Sequence, residues 1–496
     1  MTDNIAERIA EYVNEAGGRT FYVGGFVRDR LMEARGIMPA DCDATDHEAT
    51  GVIVSEDHNM SGREAESGDA TDREVAGGIV TADGSDVDIE VHGIEPDELF
   101  AILGKVGEPL SFGKSFGVYS LKGENIDIAM PRTERAIGSG HRDFEVEVDP
   151  CIGTLKAAKR RDFTINALMQ DVLTGEIIDH FGGLRDMEDH IIRHVDDDSF
   201  GEDPLRVLRG AQFAARFEFG IAEETVEICR TIDLSMLSRE RIEGEMKKAL
   251  LKADKPSIFF ESLRKMDQLD IWFPELKQLI GLIQDPIYHP EGDVWVHTME
   301  VIDRAAKYRE DASEPYSFML LCLTHDFGKL VTTEEVKGRV HSYEHEIKGL
   351  PIIETFLKRL TGEKDVIEYV LNMVPLHMRP NVAAYSKPSL KSTNKLFDAA
   401  VAPKDLIYFA ATDRPLFAGT ESFSGDMDFL FERLRVYEET MAKPYVMGRD
   451  LIEAGLEPGE DFGEILAHAH KLRLAGIDKD SALKQTLAYA RTLRKH

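Results

Sequence analysis

Asp86-Val87-Asp88-Ile89-Glu90-Val91 is the stretch on which the reading of this chain turns. Apolar Val87, Ile89 and Val91 alternate with acidic Asp86, Asp88 and Glu90, the period-two pattern of a strand that buries one face. The other face then carries three carboxylates in a row, and their mutual repulsion calls for a compensating cation. A hard divalent ion such as Mg²⁺, which takes oxygen ligands and is readily shared with nucleotide phosphates, meets that need. An isolated DxD is more often a solvated strand face, so the surrounding sequence decides.

Upstream, Ile5, Ile9, Tyr12 and Val13 recur at helical spacing and Gly17-Gly18 stops the helix. A short strand over residues 20–23 then runs into Gly24-Gly25-Phe26-Val27-Arg28-Asp29 and a helix to about residue 34. A strand, a glycine pair and a helix N-terminus make an anion site, because bare backbone N–H groups approach a phosphate and the helix dipole adds positive potential. Arg28, one turn in, can reach the same phosphate. The pair matches neither GxGxxG nor GxxxxGK, and Gly113-Lys114-Ser115-Phe116-Gly117 fails the latter too. Downstream, residues 96–103 read as a helix, and 118–122 with 125–130 as a hairpin turning at Gly123-Glu124. Asp127 lies between Ile126 and Ile128 and so faces away from the core, a candidate third carboxylate. A glycine-hinged cationic loop over 132–141 and the basic run Lys156, Lys159, Arg160, Arg161 lead to Asp162-Phe163-Thr164-Ile165-Asn166-Ala167, which reads as a helix start.

Residues 36–85 differ from their surroundings. They hold twelve Asp/Glu, two Arg, and no Lys, Phe, Tyr, Trp or Leu, a composition that cannot bury a core and reads as a mobile acidic insertion. Val52-Ile53-Val54 and Ile79-Val80 could pair at its base. Its own DxD, Asp41-Cys42-Asp43, is set aside because the residues after it do not alternate.

The whole chain has 496 residues, enough for several domains, and 43% hydrophobic content. No apolar run is long enough for a membrane span, no signal-peptide pattern opens the chain, and Cys42, Cys151, Cys229 and Cys322 form no CxxC pair. A cytoplasmic protein with reduced thiols is expected. The formal charge of −32, from 59 basic and 91 acidic residues, excludes a general nucleic-acid binder, so any polyanion must be gripped by a local cationic patch.

From about residue 185 the pattern is helical. Glu202-Asp203-Pro204-Leu205-Arg206 opens a helix with Asp203 as N-cap and Pro204 at its first position; Arg206 and Arg209 lie about one turn apart, with Arg216 two turns on. A second basic helix begins near Ser238 and continues to Lys247-Lys248, and both could meet RNA phosphates. Beyond Pro286–Pro290 come His297, then His325-Asp326 on an apolar helix, then Asp413. His341, His345 and His377 have no assigned part. Imidazoles with carboxylates suit a divalent transition metal, and an unpaired charge inside an apolar helix would be costly.

Four motifs stand in order: Gly24-Gly25-x-Val27-Arg28-Asp29, Asp86-x-Asp88, Arg160-Arg161-Asp162-Phe163-Thr164-x-Asn166-Ala167 and Glu202-Asp203-x-x-Arg206-x-x-Arg209. The series resembles the bacterial-type (class II) tRNA nucleotidyltransferase and poly(A) polymerase family. His297, His325-Asp326 and Asp413 resemble the HD metal-dependent phosphohydrolase domain carried by some members, and Gly448-Arg449-Asp450-Leu451-Ile452 resembles a family tail. The resemblance implies an α+β protein. A nucleotidyltransferase palm with a mixed β-sheet would occupy 1–150, followed by an all-α neck (151–285) for the nucleotide base and RNA, an HD body (286–440) and a helical tail (441–496). It implies Asp86 and Asp88 as ligands of two Mg²⁺, with Asp127 beside them, and Gly24, Gly25 and Arg28 on the triphosphate. Arg161 would position the nucleotide, while Asp203 and Arg206, with Arg209 beside them, would read the base edge. The implied activity is template-independent addition of C, C and A to tRNA 3′ ends from CTP and ATP. A second site at His297, His325, Asp326 and Asp413 would take Ni, Mn or Co.

Three other readings compete. A poly(A) polymerase or A-adding enzyme uses the same motifs. A phosphohydrolase would use the HD site as its main centre. A non-catalytic RNA-binding protein would have no use for an intact acidic pair. The sequence fixes no oligomeric state.

Overall fold

A computed structural model of the protein describes residues 2–37, 87–111, 117–136, 144–413 and 423–494. Two compact units result, one formed by Met1–Arg206 with Phe219–Ile232, the other by Val207–Glu218 with Asp233–His496. Among the described residues no helix is long and apolar enough to cross a membrane.

The first unit is built on a mixed sheet. Its strands in chain order are β1 (Arg19–Val23), β2 (Val87–His92), β3 (Pro109–Ser111), β4 (Val118–Leu121) and β5 (Ile126–Ala129); β6 (Arg132–Ala136) and β7 (Phe144–Val148) form a separate ribbon; β8 (Met169–Asp171) and β9 (Ile177–Ile178) return to the sheet. The spatial order is β3-β4-β5-β2-β1-β8-β9, so the acidic strand β2 lies at the centre. It runs parallel to β5, with Asp88 paired to Asp127, and antiparallel to β1, with Ile89 opposite Tyr22. The expected 118–130 hairpin is the β4–β5 pair. The sheet also takes β8 and β9 from beyond residue 150, where β8 pairs with β1.

Alternation places the aliphatics where the sheet needs them. Val87, Ile89 and Val91 are buried, and helices Thr2–Glu15 and Pro96–Val106 pack against each other, the first also lying against β1 and β2. Phe21 and Val23 meet Ala158, Ala167 and Met169 in a second apolar cluster. Gly17 ends the first helix with φ +91°, and Gly18 donates its N–H to Val13 O at 2.9 Å, a glycine stop. A Cβ on Gly18 would come within 2.6 Å of His92 O and 2.5 Å of Ile94 Cγ1, so the helix reaches the sheet edge only because that residue is glycine.

The second unit is helical apart from a hairpin, Thr333–Val336 with Arg339–Ser342. Two local expectations change. Residues 162–167 form only a 3-10 turn, Thr164–Asn166, because Asp162 accepts from its neighbour Phe163 N (2.7 Å) and from Asn166 Nδ2 (2.9 Å) rather than opening an α-helix. The His325-Asp326 pair is not inside the apolar helix: that helix, Pro315–Thr324, ends just before it, and His325 is its C-cap.

The insertion with Asp41-Cys42-Asp43 and the Val/Ile pairs lies outside the described residues, yet both flanks are anchored. Ile37 N donates to Met32 O at 2.9 Å, and β2 begins at Val87. Replacing residues 38–84 by a short Gly/Ser linker is expected to leave a folded, active protein, since closure entropy changes by about 2 kcal/mol over such a length change; thermal melting and nucleotide incorporation of the deletion variant are the measurements.

Candidate active site and candidate metal centre

In the first unit the polar face of β2 carries Asp88, Glu90 and His92. Asp86 lies outside the described residues. Asp88 is half-buried and Asp127, beside it on β5, is exposed; side by side in a parallel register, they are two carboxylates on one face of the sheet and fit a shared divalent cation. Glu90, next along, is 1% exposed and paired throughout: Oε1 lies 2.8 Å from His92 Nε2, and Oε2 lies 3.1 Å from Arg160 Nη2 and 3.9 Å from Arg161 Nη2. Burial alone would raise its carboxyl, but the His92 hydrogen bond and the two guanidiniums bring it down to about 2.

Gly24 and Gly25 are the first residues of helix Gly24–Ala34, directly after β1. Gly24 adopts φ +65°, no side chain caps the helix, and its first turn has no acidic residue, which leaves its N–H groups and dipole suited to an anion. Arg28 is 1% exposed, donating from Nε to Asp29 at 2.7 Å and from Nη1 to Asn166 Oδ1 at 2.8 Å. Its guanidinium thereby ties the glycine-led helix to the 164–166 turn.

Asp203 accepts the Leu205 N–H at 3.0 Å, the capping role its position predicts. Arg206 donates from Nη1 to Ser199 O (3.0 Å) and from Nη2 to Arg160 O (2.7 Å), so it is fastened to the main chain of the Arg160-Arg161 turn. Arg209, one turn further on, lies over the Phe213 ring at 5.1 Å and belongs to the second unit.

The second unit gathers all four expected HD residues. Asp293 caps helix Val294–Ala305 through Val296 N, which sets His297 in its first turn. His297 Nε2 lies 3.1 Å from Asp413 Oδ1 and 3.6 Å from Asp326 Oδ2; His325 Nε2 lies 3.3 Å from Asp326 Oδ2 and 3.5 Å from Asp413 Oδ1. His345 and His377 join them, with His345 Nε2 at 3.3 Å from Asp326 Oδ1 and 3.2 Å from His377 Nε2. Asp326 thus turns one oxygen to each group. Gly328 explains the approach of His345: a Cβ there would collide with the His345 carbonyl, and Gly349 packs on the same glycine. His341 stays out, stacked on Tyr343.

The donor set fits a cation. His325, His345 and His377 each give Nδ1–H to a main-chain carbonyl, of Cys322 (2.8 Å), Ser342 (2.9 Å) and Val374 (2.7 Å). A carbonyl can only accept, so Nδ1 carries a proton and Nε2 turns inward, where in the neutral ring it offers a lone pair to a metal. His325 Nε2 is buried without a hydrogen-bond partner, and lone pairs of His345 and His377 would face each other at 3.2 Å. Glu291, absent from the sequence-based set, accepts from His297 Nδ1 (2.7 Å) and His289 Nδ1 (2.9 Å); burial would raise it, but these bonds hold it at about 2. Lys329 was also missed, and its Nζ sits 2.7 Å from Asp326 Oδ2.

Burial disfavours charge on His325, yet Asp326 and Asp413 outweigh it and lift its imidazole to about 10. His297 is raised by the same balance, with Asp413 and Glu291 against burial, whereas burial and the neighbouring His325 push His377 down to about 4. A transition metal must therefore displace protons from His325 and His297 but not from His377. Metal loading is expected to weaken as pH falls from 8 towards 6, with proton release on binding. Calorimetry of Ni²⁺ or Mn²⁺ binding in buffers of different ionisation enthalpy measures both.

Fold and sites together define a nucleotidyltransferase-type sheet domain joined to a helical unit with a His/Asp cluster. Residues 74–193 match the model of the poly A polymerase head domain. The multifunctional CCA protein of Actinobacillus pleuropneumoniae is 35% identical over 321 residues, which cover 63% of this chain and 75% of that protein. That of Pasteurella multocida is 39% identical over 273 residues, 53% of this chain and 63% of its own length. Two solved structures share the fold at lower identity: a CCA-adding enzyme in complex with ATP (TM-score 0.61, 18% identity, 98% of this chain and 94% of that chain) and the Thermotoga maritima CCA-adding enzyme complexed with tRNA (0.57, 19%, 98% and 95%). The chain belongs to the bacterial-type CCA-adding and poly(A) polymerase family.

Proposed function

We propose that this protein adds C, C and A to the 3′ end of tRNA, using CTP and ATP without a nucleic-acid template, in the cytoplasm. The observation that carries the reading is the central strand β2, which sets half-buried Asp88 beside Asp127 in a family whose relatives bear the CCA name. Asp86 and Asp88, with Asp127 alongside, would hold Mg²⁺, which supplies Lewis-acid activation of the 3′-hydroxyl and charge neutralisation at the leaving pyrophosphate. The chain's own groups do the rest. The N–H groups of Gly24 and Gly25, together with Arg28, meet the triphosphate, and Arg161 orients the nucleotide. Asp203 and Arg206 offer an acceptor and donors about one turn apart, a match for the Watson–Crick edges of C and A, with Arg209 beside them. Two of Arg206's five N–H donors go to main-chain carbonyls, leaving others for a base.

A second activity is supported by one specific observation, the gathering of the His297, His325, His345 and His377 imidazoles around Asp326 and Asp413. We propose that this cluster takes Ni, Mn or Co, which would activate water for phosphoester hydrolysis, while Glu291 orients His297 and Lys329 restrains Asp326.

Incubation with tRNA lacking CCA, and with CTP, ATP or both, tests the first reading. C before A is the expected order, and long A tails on any RNA would instead identify a poly(A) polymerase. Asp88→Ala is expected to abolish incorporation with the melting temperature nearly unchanged, since a half-buried strand carboxylate contributes little to packing while its loss removes several kcal/mol of transition-state stabilisation. Asp203→Ala is expected to lose about 1 kcal/mol of stability through the lost cap and to relax selection among CTP, ATP, UTP and GTP; competition kinetics and a melting curve separate the two effects. His325→Ala is expected to lose bound transition metal and 2′,3′-cyclic phosphate hydrolysis while retaining nucleotide addition.

A further inference from the structure

Glu90 has no part in the reading above, yet it is the most deeply buried carboxylate on the polar face of β2. Two residues from Asp88 on the same face, it could have been a further metal ligand. The geometry gives it another task. Its Oε1 is occupied by His92 Nε2 at 2.8 Å, and His92 is itself fixed edge-on against Phe21. Its Oε2 faces the guanidiniums of Arg160 (3.1 Å) and Arg161 (3.9 Å). With both oxygens engaged, the carboxylate points at the arginines.

Arg160 and Arg161 sit where the chain turns into the 164–166 segment, and two other contacts fix the turn. Asp162 binds Asn166, which accepts from Arg28. Arg160 O accepts from Arg206 at 2.7 Å. The main chain of the turn is therefore positioned from two sides, and Glu90 alone among these contacts acts on the guanidinium side. Arg160 retains a buried Nε–H without a partner, and its side chain is 28% exposed. Two adjacent guanidiniums repel each other, and Arg160 without Glu90 would swing into solvent at a cost in preorganisation when a phosphate arrives.

We propose that Glu90 is a positioning residue for nucleotide addition: it holds the Arg160 and Arg161 guanidiniums together at the end of β2, where they meet the incoming nucleoside triphosphate. This rests on the nucleotide-addition reading. Glu90 touches neither substrate nor metal and acts through the arginines, and Arg160 becomes a phosphate-binding residue beside the expected Arg161.

The test is steady-state kinetics of Glu90→Gln on tRNA lacking CCA, with equilibrium dialysis of radiolabelled CTP and ATP as a readout independent of turnover. The amide keeps the shape and loses the charge, so KM and Kd for both nucleotides are expected to rise about tenfold with kcat changed less than about twofold and base selectivity intact. A merely structural role would lower the melting temperature without that split. In an Arg160→Gln background, Glu90→Gln is expected to raise KM little further, because the two act as one unit. Full additivity, or an unchanged Kd in the single variant, overturns the proposal. If Glu90→Gln does not fold, Arg160→Lys carries the test: the ammonium still pairs with Glu90 but lacks the fork, so Kd should rise, and an unchanged Kd overturns the proposal. Wild-type protein that incorporates no nucleotide would defeat the reading of function, an outcome distinct from an active wild type with an indifferent Glu90 variant.

Discussion

Strand β2 presents acidic side chains at every second residue, and a sheet can keep such a strand at its centre only if cations reach it. Flanked by β1 and β5, β2 projects its carboxylates from one face of the sheet, and what covers that face sets how far each reaches water. Each carboxylate along it meets a different environment. Asp88 is half-buried beside Asp127, while Glu90 is sealed against Arg160, Arg161 and His92. The sheet thus grades from a solvent-facing acidic end to a neutralised interior within three residues, and that gradient separates an ion-binding position from a scaffolding one. Burying Glu90 without its partners would cost several kcal/mol, so the strand and the arginine turn are obligate neighbours.

The same constraint explains how a chain of charge −32 can hold polyanions. Its acidic excess need not be uniform, and the described first unit concentrates Arg28, Arg160, Arg161 and Arg206 around a single turn. All four are braced by main-chain or buried side-chain partners rather than left waving in water. Preorganised cations are worth more per charge than mobile ones, because less side-chain entropy is lost when a phosphate arrives.

Much of this was legible in the sequence, for local reasons. The acidic alternation, the glycine pair after a strand, the hairpin around Gly123 and the Asp203 cap are short-range patterns with one physical solution, and each appears where expected. What stayed hidden was long-range. The pairing of β8 with β1 has no local signature. Nothing in the spacing of His345 and His377 announces that both reach Asp326, although the glycine in His325-Asp326-Phe327-Gly328 was a readable hint of close backbone approach. Sequence shows which helical turn Arg28 occupies but not what it packs against; its burial against Asn166 depends on a turn more than a hundred residues away. Glu90 sat in plain view in the alternation, and only its burial separates its role from that of Asp88.

Arg206, proposed above to read the base, has two of its donors engaged in advance. Its fork already holds the carbonyls of Ser199 and Arg160, so an arriving ligand can recruit those donors only by replacing what they give up. A ligand whose acceptors match exchanges one set of bonds for another at almost no net cost. One that does not match must break bonds and return nothing, at about 1–3 kcal/mol for each buried partner left unmet. Discrimination in such an arrangement is a comparison against an internal standard. The protein's own backbone is the competitor that every candidate ligand has to equal.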